Sequence, residues 1–173
     1  MRIFISIKLP TKILMKIKEV QEDLPEFFGK KTEIKNLHLT LKFLGEISFE
    51  KMEEIKEKLK EIDFEKFEAK VGKIGFFDKP KSGIVWLEIN SCLPLQKEID
   101  KILDGIFDEE KRFMGHLTIA RVKKVKDKKL FFKKLNQIKI PNIFFFVDKF
   151  YLMQSKLKKE GPEYLILNEY FLN

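Results

Sequence analysis

The chain is 173 residues long, 44% apolar with 18 Phe, and its 35 Lys and Arg against 27 Asp and Glu leave a net charge of +8. That length allows one domain or two small lobes burying roughly 70% of the unfolded surface, and such an apolar content excludes intrinsic disorder. A lone cysteine, Cys92, excludes an internal disulfide and reads as a small buried apolar residue in a reducing cytoplasm. No apolar run approaches the ~18 residues of a membrane span, and residues 1–30 lack a signal-peptide pattern, so a soluble protein with no membrane partner is expected. The basic excess favours a polyanionic partner through steering and counterion release.

Residues 2–7 read as a strand, and Thr11 is placed to cap a helix whose Leu14, Ile17, Val20 and Leu24 follow helical spacing. A strand over 38–44 comes next, then a helix capped by Ser48 with Met52, Ile55, Leu59 and Ile62 on one face. Strands over 67–77 and 84–89 are joined by a turn at 78–83. The order then repeats: a helix carrying Leu95, Ile99, Ile102, Leu103 and Ile106, a strand over 116–122, and a helix capped by Asp127 with Leu130, Phe131, Leu135 and Ile138. Pro141 stops that helix before strands over 143–153 and 164–171. The result is an α+β fold of two pseudo-symmetric lobes, mostly antiparallel sheet with outer helices, and a cleft between them. Residues 1–173 are expected to form a single domain of two intertwined lobes, since no linker or low-complexity segment divides them.

The chain holds two histidines, and each opens a near-identical tetrapeptide: His38-Leu39-Thr40-Leu41 and His116-Leu117-Thr118-Ile119. On a strand, residues two apart share a face, so each His emerges beside its Thr while the aliphatic residues point into the core. A single His in an alternating strand is commonly a packing residue; nothing in packing requires both to precede Leu-Thr-aliphatic. The spacing also repeats, because Trp86 lies as far beyond His38 as Tyr164 lies beyond His116. Two imidazoles and two hydroxyls facing across a pseudo-two-fold axis suit in-line attack at phosphorus, where one group takes a proton and another supplies one.

Three stretches, Arg2-Ile3-Phe4-Ile5-Ser6-Ile7, Asn36-Leu37-His38-Leu39-Thr40-Leu41-Lys42-Phe43-Leu44-Gly45-Glu46 and His116-Leu117-Thr118-Ile119-Ala120-Arg121-Val122-Lys123, together resemble the RNA 2',3'-cyclic phosphodiesterase family of the 2H phosphoesterase superfamily. The likeness runs from the first strand to Gly161-Pro162. It implies hydrolysis of RNA 2',3'-cyclic phosphate ends to 2'-phosphates without metal or other cofactor; tRNA fragments, small oligonucleotides and cyclic nucleotides all offer that reacting group, and a cytoplasmic monomer is expected. By the same resemblance His38 donates a proton to the 3'-oxygen and His116 accepts one from water. Thr40 and Thr118 would then donate to the non-bridging phosphate oxygens, and Arg121 could pair with phosphate in a bidentate manner.

Arg121 has the wrong strand parity for the face of His116, so it reaches the pocket only from the strand end or past a bulge. Phe43 occupies the matching place in the first motif, leaving Lys42, on the His38 face, as a source of charge. Phe4, Phe76, Trp86 and Phe113 are candidates for stacking on a base, or core residues. The family often has Pro before the second His, and Gly115 here loosens that approach. Zinc would need more Cys and His ligands than one Cys and two His provide, and neither a P-loop nor a dinucleotide fingerprint is present. The Lys-rich stretch 123–134 is a solvated helix with its approach, or a contact for an RNA backbone. Two other functions remain open: the reverse reaction, joining a cyclic-phosphate end to a 5'-hydroxyl through a 2',5' linkage, and a non-catalytic module that binds RNA ends.

Overall fold

The computed structural model describes residues 1–79, 82–159 and 161–173. Its strands and helices, in chain order, are β1 (Arg2–Lys8), α1 (Thr11–Glu22), β2 (Phe28–Lys31), β3 (His38–Glu46), α2 (Phe49–Lys58), β4 (Phe67–Phe77), β5 (Gly83–Ile89), α3 (Leu93–Ile102), β6 (His116–Lys124), α4 (Lys128–Gln137), β7 (Phe144–Val147), β8 (Lys149–Lys158) and β9 (Gly161–Phe171). Of the turn expected at 78–83, Pro80 and Lys81 lie outside the described residues.

Local chemistry accounts for most boundaries. Ser48 accepts a hydrogen bond from the Lys51 amide (3.2 Å) and Asp127 one from Leu130 (2.9 Å), the expected caps of α2 and α4. Thr11 does not cap α1. It is the first helical residue, and Pro10 stands at the N-cap, its carbonyl accepting from Ile13 and Leu14 with no side-chain capping bond. In α3 Pro94 sits in the first turn, where the missing N–H costs nothing, and the helix ends before Leu103 and Ile106.

The sheet runs β7-β4-β5-β6-β3-β1-β8-β9, antiparallel throughout, with β2 also paired to β6. Read outward from the β6/β3 junction, β3, β1, β8 and β9 mirror β6, β5, β4 and β7. The lobes interlock, because β4 follows the first motif yet belongs with the second, while β8 crosses back in the opposite sense.

The strand expected over 143–153 is therefore two. β7 pairs with β4 and β8 with β1 and β9, and the chain changes lobe at Asp148. β2 was not expected, because Phe28-Gly29-Lys30-Lys31 is exposed throughout and shows no alternation. The main core joins Ile13, Ile17 and Val20 of α1, Ile55 of α2, Ile99 of α3 and Leu135 of α4 to inward residues of the strands, including Leu39 and Leu117. Burying an aliphatic side chain of this size contributes about 1.5–3 kcal/mol, enough to pin the register of both motif strands. A smaller cluster of Phe4, Tyr151 and Met153, with Tyr164 against it, forms apart from that core.

Candidate active site

Strands β3 and β6 meet through Leu39 and Leu117, paired antiparallel and fully buried. One residue to either side of this pair, His38 stands across from Thr118 and His116 across from Thr40. Because the leucines face the core, these four side chains share the opposite face. All four line a cleft of about 470 Å³.

Both imidazoles are oriented in the same way. His38 Nδ1 lies 2.7 Å from the Asn36 carbonyl oxygen, and His116 Nδ1 lies 2.8 Å from that of Met114. A carbonyl only accepts, so each Nδ1 carries hydrogen and donates, leaving Nε2 as the nitrogen for proton transfer. Asn36 also donates through Nδ2 to the Pro162 carbonyl (3.1 Å), tying the start of β3 to the start of β9. The His38 ring packs against Phe4 (5.0 Å between centroids) and edge-on to Tyr164 (4.8 Å), and His116 packs edge-on to Phe77 (5.4 Å). Desolvation pushes the His38 pKa below the ordinary imidazole value; Lys8, His116 and Arg121 push the same way, against the opposing bond to Asn36.

Matching bulges decide which later residues reach the cleft. Along β1 the register passes from Ser6 opposite Thr40 to Ile5 opposite Lys42, skipping Leu41. Along β5 it passes from Trp86 opposite Thr118 to Val85 opposite Ala120, skipping Ile119. Each extra residue reverses the parity beyond it. Arg121 thus reaches the cleft past a bulge, and Phe43, its counterpart, lines the opposite wall.

The same reversal turns Lys42 away from His38. It is 5% exposed and supplies no charge to the cleft; its Nζ donates to Asp100 and to the Asp108 carbonyl (2.7 Å). The other Asp100 oxygen accepts from Gln96 (2.6 Å) and from the Glu110 amide (2.9 Å). Burial opposes charge on Asp100, but Lys42 and these donors hold its carboxyl below the usual carboxylate range. The β6 bulge is held differently. Gln21 of α1 donates to the carbonyls of Ile119 (2.8 Å) and Thr32 (2.9 Å), while the Thr32 amide donates to Ile119 (2.9 Å). Gly115 does not loosen the approach to His116, since a Cβ there would collide with the Ile89 carbonyl, whose own amide bonds Gly115 (2.8 Å).

Of the aromatic candidates, Phe4 lines the cleft but is almost wholly buried under His38. Phe76 packs on Phe131 and Phe132, Trp86 packs at a tilt on Phe77, and Phe113 sits against the main core. Besides Phe4, the cleft is lined by the rings of Phe43, 67% exposed, and half-buried Tyr164. Arg2, Lys30, Lys31 and Lys79 add positive charge to the walls. Cys92 is buried and its thiol pushed up to about 12 by desolvation, so it is no nucleophile. Among the described residues no group of three or more His, Cys, Asp or Glu is arranged to hold a metal ion, and no helix is long and apolar enough to cross a membrane.

Comparison with known proteins identifies the family. The sequence profile of the LigT like Phosphoesterase family matches residues 7–86. The RNA 2',3'-cyclic phosphodiesterase of Methanocaldococcus jannaschii is 33% identical over 98% of this chain and 100% of its own. That of Thermotoga maritima is also 33% identical, over 98% of this chain and 94% of its own. Among solved structures, the protein TT0787 of Thermus thermophilus matches with a TM-score of 0.79 at 25% identity, over 99% of this chain and 97% of that one. With the family profile covering the first motif and two relatives 33% identical over most of both chains, the chain belongs to the LigT-like phosphoesterase family.

Proposed function

We propose that the protein hydrolyses 2',3'-cyclic phosphate ends of RNA to 2'-phosphates, with His38 and His116 as acid and base, Thr40, Thr118 and Arg121 on the phosphate, and no metal or other cofactor. What carries this reading is the diagonal pair of imidazoles, each with Nδ1 committed to a backbone carbonyl and each facing a threonine across the Leu39–Leu117 pair. The names of the full-length relatives support the substrate. Water adds to phosphorus in line with the 3'-oxygen; as the new P–O bond forms, the P–O3' bond breaks. One imidazole takes the proton from water and the other gives one to the departing oxygen. The threonine hydroxyls and the Arg121 guanidinium meet charge on the non-bridging oxygens.

The resemblance assigns the donor role to His38. Desolvation and the cations around it disfavour the protonated form of His38, and an anionic phosphate placed beside it would favour that form. We read residues 1–173 as one domain of two intertwined lobes, acting as a cytoplasmic monomer on ends such as those of tRNA fragments. Support for the monomer is that one chain supplies both motif strands. The test is to incubate the protein, without added metal, with an oligonucleotide ending in a 2',3'-cyclic phosphate and to identify the product end. A 2'-phosphate is expected. A 3'-phosphate, or tight binding with no product, would overturn the reading, and a 2',5'-joined product with 5'-hydroxyl RNA would put the reverse reaction in its place.

A further inference from the structure

β2 breaks the pseudo-two-fold symmetry. It pairs with β6 as Phe28 to Lys124, Gly29 to Val122, Lys30 to Arg121 and Lys31 to Ala120, and β3 has no such strand alongside it among the described residues. The contact is close: a Cβ on Gly29, whose φ is +154°, would collide with the Arg121 carbonyl. Lys30 and Arg121 both line the cleft. Between Phe28 and Gly29 the register passes over Lys123, so the next pair on that face is Phe28 and Lys124, just outside the cleft wall. The Phe28 ring is 51% exposed, with Lys126 Nζ 5.8 Å from its centroid, and Glu26 in turn holds Lys126 (3.0 Å). An exposed aromatic face flanked by cations, continuous with a phosphate-binding arginine, is the combination that binds single-stranded nucleic acid by base stacking and backbone neutralisation.

We infer that Phe28, with Lys124 beside it, forms a subsite for single-stranded RNA on the 5' side of the terminal nucleotide, so that one base stacks on Phe28 while the cyclic phosphate lies between the histidines. This rests on the proposed function and extends it from the reacting group to the polynucleotide. A cyclic mononucleotide fills only the cleft, whereas an oligonucleotide also reaches β2. The enzyme should therefore prefer oligonucleotides, and the preference should reside in KM.

The test compares hydrolysis of cytidine 2',3'-cyclic phosphate and of a short single-stranded oligonucleotide with the same end by the unaltered protein and by Phe28→Ala, Phe28→Tyr and Lys124→Ala. Phe28→Ala should raise the oligonucleotide KM roughly tenfold, the scale of one lost stacking contact, with kcat and the mononucleotide kinetics unchanged. Phe28→Tyr keeps the aromatic face and should retain the preference. Lys124→Ala should flatten the dependence of log KM on log salt by about one for the oligonucleotide alone. Equal losses on both substrates would reduce Phe28 to a packing residue and overturn the subsite. If the unaltered protein hydrolysed neither substrate, the proposed function would fall; fluorescence-anisotropy binding of the oligonucleotide to the unaltered protein and to Phe28→Ala would then decide the subsite independently.

Discussion

Leu39 and Leu117 pair with one another at the pseudo-two-fold junction, and this is the residue pair through which β3 meets β6 among the described residues. Because both are fully buried, neither strand can slip by one residue without exposing a leucine and burying a histidine. Core packing on one face thus fixes the arrangement of proton-transfer groups on the other.

His38→Ala and His116→Ala should each lower turnover by about 10²- to 10⁴-fold, the contribution of one positioned acid or base. The double variant should be little slower than either single one, since half of the pair leaves the other without its counterpart. Steady-state kinetics with thermal melts checks both points; near-normal turnover in a folded single variant would remove that histidine from the mechanism.

Activity and stability should respond to pH for related reasons. A reaction needing one neutral and one protonated imidazole gives a kcat/KM profile that falls on both sides, with limbs belonging to the coupled pair. His38 has a folded-state pKa below 6.5, so the unfolded chain binds that proton more readily. Its contribution to stability is complete above the unfolded value and is lost as pH falls through the folded one. In His38→Gln, Tm should fall less steeply than in the parent over this acidic window; parallel curves would show that burial of His38 is not the cause.

The motif strands, the duplicated order of elements and the caps at Ser48 and Asp127 were legible in the sequence because alternation, helical spacing and capping chemistry are local. The bulges were not. A bulge is a mismatch between two strands, and nothing within His116-Leu117-Thr118-Ile119-Ala120-Arg121 states that its partner on β5 is one residue short. Strand parity alone therefore puts Lys42 on the cleft face and turns Phe43 from it, and it leaves Arg121 two routes inward, the strand end and a bulge, between which only the pairing decides. β2 escaped for want of alternation, and the break at Asp148 because the apolar run continues across a change of partner. One available signal was Gln21, a polar residue on the apolar stripe of α1 between Ile17 and Leu24.

Gln21→Leu should take the side-chain donor from the Thr32 carbonyl and leave the Ile119 carbonyl with the Thr32 amide alone. The expected loss is about 1–3 kcal/mol of stability, measurable by urea unfolding. Because the bulge at Ile119 brings Arg121 to the cleft, KM for the cyclic phosphate should rise more than kcat falls. Unchanged KM in the folded variant would show that Arg121 holds its place without the clamp.

Activity should survive prolonged dialysis against a chelator, since the proton transfers assigned to His38 and His116 need no metal-bound water. Restoration by zinc or manganese after such a loss would replace the two-imidazole account with a metal-assisted one.

Lys42 of β3 and Asp100 of α3 form an ion pair. Both side chains are buried, and together they bind the Asp108 carbonyl and the Glu110 amide, fastening the segment that leads to Gly115 and His116 onto β3 and α3. Removing one partner leaves the other charge buried without its counterion, at a cost of about 3–5 kcal/mol, whereas an apolar pair of similar size can restore much of that loss. Lys42→Met and Asp100→Leu should therefore each be strongly destabilised, and the double variant should recover toward the parent in a denaturant cycle. Recovery of stability need not restore turnover, because the apolar pair no longer bonds Asp108 and Glu110. The depressed pKa of Asp100 adds a pH signature: its contribution is present above the unfolded value of 3.8 and is lost as pH falls through the folded one. A double variant as unstable as the sum of the singles would mean that the two charges act independently, and that the fastening of the His116 approach lies elsewhere.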